Sequence, residues 1–284
     1  MTRKTRTSMI ETDNQKQNME KLTIVKVGGA IVEDPEQLAA LLANFSAIEG
    51  KKILVHGGGR RATKIAAQLG IESHMVGGRR ITDAEMLSVV TMVYGGLVNK
   101  NLVAKLQANG VNALGLTGAD MDVIRSHKRP LKKVRMDDGT EQMVDFGFVG
   151  DVDRADGERL AQLLDSGITP VVAPLTHDGA GNILNTNADT MASTVAKALA
   201  GKYDVTLIFS FEKKGVLSNP DDDDSVIPVI NRELYEKYVA DGTISGGMKP
   251  KIENALEAVA AGVKRVIITL ATHIDGNHGT VIQQ

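Results

Sequence analysis

The apolar residues of this chain fall in short runs that end at glycine, and between those runs they recur at helical spacing. "LTIVKV" (22–27) is such a run, closed by Gly28 and Gly29, and predicts a buried strand. Pro35 then opens a stretch to residue 48 in which Leu38, Leu41, Leu42 and Phe45 share one helical face. "KILV" (52–55) predicts a second strand, ended by Gly57, Gly58 and Gly59, and residues 60–69 return to helical spacing with Ile65 and Leu69. Strand, glycine turn and helix, twice over, imply a parallel sheet.

A longer helical pattern covers about 83–109, through Met86, Val90, Val93, Leu97, Val103 and Leu106, and Asn109-Gly110 ends it. "VNALGL" is a further strand, and 121–149 reads as antiparallel ribbon turning at "DDGT" (137–140). A helix at 155–166 leads to the strand "TPVVAPL" (169–175), a hairpin turn at "HDGAGN" (177–182), and a helix over 188–199 facing Met191, Val195, Ala198 and Leu199. Then come the strand "DVTLIFS", the acidic loop "NPDDDDS", helices near 231–240 and 248–261, the strand "RVIITL" and a last strand near "GTVI". The fold class is therefore α/β, with an open, mainly parallel central sheet sandwiched between helices in two lobes. The expected division is a disordered polar leader over 1–20, an N-lobe over 21–200 and a C-lobe over 201–284.

Composition narrows the function. A formal net charge of -2 offers no basic surface for nucleic acid or an anionic membrane. With 3% aromatics and no Trp, stacking platforms for single strands are not expected. The absence of cysteine excludes disulfides, thiol nucleophiles, Cys-ligated zinc and iron–sulfur clusters. No run approaches the roughly 18 apolar residues of a spanning helix. The leader lacks the apolar core of a signal peptide, so a cytoplasmic protein is the default.

The 29 glycines matter most where strands end. "ILVHGGGRRA" (53–62) places three of them between a strand and a helix, a junction that holds anions. As an esterase oxyanion loop it would need a G-x-S-x-G elbow, and there is none. As a dinucleotide fingerprint, Gly57, Gly59 and Ala62 fit, but the acidic residue about 20 positions on falls at Asp83, which reads as a helix cap. Phosphoryl transfer needs backbone N–H groups and positive charge around the moving group. Two glycine turns and Lys26 before Gly28 can supply both.

An ordered set of motifs adds to this: "KVGGA" (26–30), "VHGGGRR" (55–61), "GGRRITD" (77–83), "VNKNLV" (98–103), "DFGFVGDV" (145–152), "ITPVVAPL" (168–175), "NTNAD" (185–189), "GGMKPK" (246–251) and "GTVI" (279–282). In this set the chain resembles the amino acid kinase family over nearly all of 21–282. The "RxTD"-, "VNK"- and "NxNAD"-like segments separate it from the carbamate, uridylate, aspartate and glutamate 5-kinase branches. The resemblance implies ATP-dependent phosphorylation of the γ-carboxylate of N-acetyl-L-glutamate, or of a related N-acyl-glutamate, early in arginine biosynthesis. It implies that Lys26 and Lys251 act on the phosphoryl group and Asp189 orients them. Gly28, Gly29, Gly58 and Gly59 would donate N–H groups to phosphate, Arg80 would grip the substrate carboxylate, and Asn185 would position the substrate. Glu212 would lie at the nucleotide site. ATP would arrive with Mg²⁺ held mainly by its phosphates, with no protein metal site, and the assembly would be a homodimer. His56 reads as structural and Arg60 and Arg61 as helix surface.

The sequence departs from the family's pattern in three places. Glu212 in "SFEKKGVL" stands nearest a usual aspartate, "ADMDVI" (119–124) replaces a basic-acidic-glycine run, and Lys249 occupies a commonly apolar position. These leave N-succinyl-L-glutamate open as the acceptor. A dinucleotide-binding oxidoreductase and a non-catalytic homologue are the remaining alternatives. The leader shows little apolar periodicity, which favours an arginine-insensitive dimer over a hexamer.

Overall fold

The computed structural model describes residues 19–135 and 139–284. The leader up to residue 18 and the first two residues of the expected "DDGT" turn lie outside the described residues. In chain order the first elements are β1 (Lys21–Val27), α1 (Gly29–Glu33), α2 (Pro35–Ala47), β2 (Lys51–His56), α3 (Gly59–Gln68), β3 (Met75–Val76), β4 (Arg79–Arg80) and α4 (Ala84–Ala108). A middle section follows: β5 (Ala113–Leu116), β6 (Ile124–Lys128), β7 (Lys132–Arg135), β8 (Glu141–Val144), β9 (Gly150–Ala155), α5 (Gly157–Asp165), β10 (Thr169–Val172), β11 (Leu175–His177), β12 (Ile183–Asn185) and α6 (Ala188–Leu199). The chain closes with β13 (Asp204–Phe211), β14 (Val229–Ile230), α7 (Arg232–Ala240), α8 (Met248–Ala260), β15 (Arg265–Leu270) and β16 (Thr280–Ile282).

Eight strands form the central sheet in the order β14-β16-β15-β13-β1-β2-β10-β5. The six from β15 to β5 are parallel, and β16 pairs antiparallel with β15. A four-stranded sheet, β12-β11-β6-β9, and the hairpins β3–β4 and β7–β8 complete the β structure. Strands before residue 201 make one half of the central sheet and strands after it make the other, meeting where β1 pairs β13. The chain leaves β1 toward one edge of the sheet and β13 toward the other, so the seam's carboxyl end is the crevice where such sheets bind ligands.

Both faces of the sheet are covered, and this is why its strands are continuous apolar runs. Strand alternation then sorts the side chains. Leu22 and Ile24 of β1, Ile53 and Val55 of β2, and Leu207 and Phe209 of β13 pack with Met191 and Val195 of α6 and Ile252 and Ala255 of α8. Val25, Val27, Leu54 and Ile208 face the other way, onto Leu41 and Phe45 of α2 and Val93 and Leu102 of α4. The same parity carries polar residues to opposite faces. Lys26 reaches Asp189 of α6, Phe211 lies under Lys251 of α8, and His56 meets Asn99 of α4.

Several local expectations give way. The run 169–175 is two strands in two sheets. Pro174 has no N–H to continue a ladder, and the Leu175 N–H folds back to the Ala173 carbonyl at 2.8 Å. The ribbon continues into β9, which pairs antiparallel with β6. On α3 the buried face is Ala62 and Ala66, while Leu69 is 56% exposed. The helix starts beside the first glycine turn, where a Cβ on Gly29 would lie 3.6 Å from the Gly58 nitrogen, and Ile65 packs half-buried at the edge of the core. On α4 the section Thr91–Val98 is π-helical. Its wider turns rotate Val98 and Leu102 to the core and leave Leu97 40% exposed. Helix α4 is long and apolar enough to cross a membrane by length and composition, with 44% of that window buried in the protein.

His56 is wholly buried, and desolvation outweighs its hydrogen bond to the Gly57 carbonyl, pushing the imidazole down to about 4. The unfolded chain takes up this proton near pH 6.5. Between those values the unfolded state binds more protons, so stability is full above the upper value and falls as pH drops through the window. The gap corresponds to on the order of 3 kcal/mol. Urea midpoints at pH 7 and pH 4.5 should therefore fall further for the parent protein than for His56→Asn. Equal falls would mean that the imidazole protonates in place.

Candidate functional site

Lys26 is the penultimate residue of β1, and its ammonium lies 2.8 Å from Oδ1 of Asp189. Asp189 sits in the first turn of α6, an end fixed by Asn187, whose side chain accepts from the N–H groups of Asp189 and Thr190 at 2.9 and 3.1 Å. Burial pushes the Asp189 carboxyl up, but the charges of Lys26 and Lys251 outweigh it and hold the group below its ordinary value. Lys251 comes from the first turns of α8 and lies 4.4 Å from the centroid of the Phe211 ring. Burial lowers its pKa first, Asp189 raises it, and Lys26 lowers it again. One carboxylate thus pairs with Lys26 and attracts Lys251 from farther off.

Two clefts meet beside this trio. One, of about 310 Å³, is lined by Lys26, Gly28, Gly29, Phe211, Glu212 and Lys251. The other, of about 240 Å³, is lined by Gly29, Gly58, Gly59, Arg80, Tyr94, Arg129 and Asn185. Gly29 and Gly59 line both. The nitrogens of Gly58 and Gly59 lie 3.6 and 3.7 Å from where a Cβ on Gly29 would stand. The glycines therefore leave a cradle that a side chain would fill. Gly59 opens α3, so its N–H has no partner within that helix. A Cβ on Gly58 would meet the Tyr94 ring at 2.8 Å.

In the second cleft the Arg80 guanidinium is already placed. It donates to the Gly59 carbonyl at 3.0 Å, Thr63 Oγ1 at 2.9 Å and Ser73 Oγ at 2.9 Å. Asn185 donates to Thr82 Oγ1 at 3.0 Å. The segment "DFGFVGDV" clasps Thr82 from both sides, because Phe148 N–H donates to its carbonyl and its own N–H donates to Phe146. Glu212 lies at the mouth of the first cleft, 3.4 Å from Arg60, whose side chain is exposed.

The structure thus brings Lys26, Gly28, Gly29, Gly58, Gly59, Arg80, Asn185, Asp189, Glu212 and Lys251 around one pair of clefts. Of the departures, Lys249 lines neither cleft, nor does any residue of 119–124. Met121 and Asp122 take left-handed backbone there, and Asp122 gathers Arg125, Arg154 and His177. The acidic loop is exposed and paired back to Lys213 and Lys214. A larger cavity of about 930 Å³ opens at the amino ends of β1, β13 and β15, the end away from Lys26.

Sequence reasoning missed Tyr94 and Arg129. Tyr94 had a signal, one of only four tyrosines set inside an apolar helix. Arg129 had none. It forks onto Asp151 at 2.6 and 3.1 Å and leaves Nη1 buried without a partner at the second cleft. Arg79 beside it is lowered by burial and then by the charge of Arg129. If Asp189 holds the two lysines as described, Asp189→Asn removes the group that raises Lys251. An NMR titration of the lysine side chains should then find Lys251 losing its proton at lower pH than in the parent. An unchanged or higher midpoint would contradict the coupling.

The comparisons agree with this geometry. The pattern of the Amino acid kinase family matches residues 21–270. Acetylglutamate kinase of Bacteroides thetaiotaomicron is 65% identical over 265 residues, covering 93% of this chain and 99% of the relative. Acetylglutamate kinase of Phocaeicola vulgatus is 64% identical over 265 residues, with coverage of 93% and 99%. Among solved structures, smu.665 from Streptococcus mutans has a TM-score of 0.74 at 29% identity, covering 92% of this chain and 98% of that one. A sheet of this order, with its lysines and glycine turns at one crevice, thus comes with matching sequence along most of its length, and the chain belongs to the amino acid kinase family.

Proposed function

We propose that the protein transfers the γ-phosphoryl group of ATP to the γ-carboxylate of N-acetyl-L-glutamate, giving the acyl phosphate and ADP in arginine biosynthesis. The observation that carries this is the placement of Lys26, Asp189 and Lys251 beside two clefts that share Gly29 and Gly59. In this reading the C-lobe side of the first cleft takes ATP, near Glu212, and the N-lobe cleft takes the amino acid, with its carboxylate on Arg80 and its amide region on Asn185. The relatives named for this activity support the choice of acceptor.

No general base is needed. A γ-carboxylate with a pKa of about 4.3 is ionised at neutral pH. Its oxygen attacks the γ-phosphorus while the bond to the β-phosphate oxygen breaks, and the electron pair leaves on ADP. The barrier is the approach of two anions. Lys26 would meet the moving group, Lys251 the departing side, and the amides of Gly28, Gly29, Gly58 and Gly59 the equatorial oxygens. Asp189 would keep both ammonium groups aimed. Mg²⁺ would come on the triphosphate, which supplies its oxygen ligands. This fits a cleft wall built of lysines and amides, where Asp189 is already engaged by two cations.

We also propose a cytoplasmic homodimer. The outward side of α4 supports it, since Met92 is 55% and Leu97 40% exposed on a helix of otherwise apolar character. Light scattering at a mass of 30.3 kDa, that of one chain, would contradict it. The alternative acceptor that the sequence left open, N-succinyl-L-glutamate, is compared in the same kinase assay.

The test is MgATP with either N-acyl-glutamate and hydroxylamine to trap the acyl phosphate. Hydroxamate from the acetyl substrate is expected, a marked preference for the succinyl substrate would reassign the acceptor, and none from either would remove the kinase reading. Lys26→Ala and Lys251→Ala should each lower kcat by about 10²–10³. Arg80→Lys should chiefly raise KM for the amino acid, by about tenfold, because a lysine cannot make two parallel bonds to carboxylate. A near-normal kcat or KM would reject the residue concerned.

A further inference from the structure

His56 and Asn99 line neither cleft, yet they form a buried polar pair directly beneath the glycine loop. The direction of every proton in that pair follows from one carbonyl. Nδ2 of Asn99 lies 2.9 Å from the carbonyl oxygen of Val171, which only accepts, so the amide must turn its NH₂ that way. Its second hydrogen then points to Nε2 of His56, 3.1 Å off, and makes that nitrogen the acceptor. The ring must carry its proton on Nδ1, which lies 2.9 Å from the Gly57 carbonyl and donates to it. The reversed amide would set Oδ1 against the Val171 carbonyl, two acceptors facing each other, so this hydrogen bond rather than space fixes the orientation. Oδ1 as placed lies buried without a partner, over the bare backbone of Gly115 in β5, where a Cβ would stand 1.8 Å from it. Asn99 reaches this place because it follows the π-helical section of α4, whose extra width rotates it onto the sheet.

The consequence lies on the other side of the loop. The Gly57–Gly58 peptide is trans, so its C=O and its N–H point in opposite directions. With the carbonyl tied inward to His56, the Gly58 N–H is turned outward to the cradle over Gly29. The Gly57 N–H, which belongs to the preceding peptide, is tied to the Val27 carbonyl at 3.0 Å, so the plane before this one is held as well.

We propose that His56 and Asn99 are positioning residues for phosphoryl transfer, fixing one imidazole tautomer so that the Gly58 N–H is held on the moving phosphoryl group. This rests on the kinase function proposed above. Burial keeps the ring neutral through the working pH range, so the device is a fixed dipole rather than a proton carrier.

The experiment compares His56→Asn with His56→Gln. Asparagine places an N–H where Nδ1 was and keeps the bond to Gly57. Glutamine reaches only to the position of Nε2 and loses that bond. Both remove the ring and both are neutral, so a merely structural role would affect them alike. Asparagine should keep kcat within about threefold of the parent, while glutamine should lower it by about 10–100-fold with KM for ATP and amino acid little changed. Equal losses that follow the melting temperatures, or a change confined to KM, would overturn the proposal. The ¹⁵N shifts of His56 in the unaltered protein give a test that needs no folded variant. The Nδ1–H tautomer is expected, and the Nε2–H tautomer would overturn it. A parent protein that forms no hydroxamate would instead remove the function on which the proposal rests, a failure distinct from either of these.

Discussion

One carboxylate set between two ammonium charges, paired with Lys26 and attracting Lys251, is the interaction on which the site depends. Lys26 and Lys251 repel each other, and Asp189 lies where it attracts both. A unit charge pair about 4 Å apart in an effective dielectric near 20 is worth roughly 4 kcal/mol, enough to offset repulsion of the same order. Without the carboxylate the two lysines would swing apart, and Lys251 would give up its proton more readily. With it, the crevice keeps a concentrated positive field before any phosphate arrives, which is what transfer between two anions requires.

The sheet delivers these three groups by alternation alone. Lys26 continues the row of Leu22 and Ile24, so it emerges on the face covered by α6, and Asp189 stands in the first turn of that helix. Phe211 continues the row of Leu207 and Phe209 and emerges under α8, where Lys251 crosses its ring. A one-residue slip in β1 would send the ammonium to the opposite face, among Leu41 and Phe45. The apolar core on both faces is thus what fixes the register of the chemistry. The glycine turns complete it, because β1 and β2 end level with each other and a Cβ on Gly29 would stand in the cradle, 3.6 Å from the Gly58 nitrogen.

Much of this was legible in the sequence, for identifiable reasons. The runs at 22–27 and 265–270 read as strands because burial on both faces leaves no polar row to blur them, and α6 read correctly from 188 to 199 because Asn187 caps it. On α4 the expected face held at Met86, Val90, Val93 and Leu106 and failed at Leu97, because a period of 3.6 breaks across π-helical turns. Nor was the split of 169–175, since both pieces are apolar and pairing partners leave no local mark. Among site residues, Lys26 and the glycines had a physical signal of their own. Arg80, Asn185, Asp189 and Lys251 came from ordered motifs of a resembling family. Arg129 came from neither, because its place at the cleft depends on how β6 pairs with β9.

The central claim is that the two lysines and the glycine amides surround the phosphoryl group as it moves. A crystal structure with MgADP, aluminium fluoride and N-acetyl-L-glutamate tests it most directly. The account predicts the planar fluoride group within about 3.2 Å of Nζ of Lys26 and Lys251 and of the Gly29 and Gly58 nitrogens, with the γ-carboxylate in line from the Arg80 side. A fluoride group seated elsewhere, such as the 930 Å³ cavity at the far end of the sheet, or lysines out of reach of it, would contradict the account.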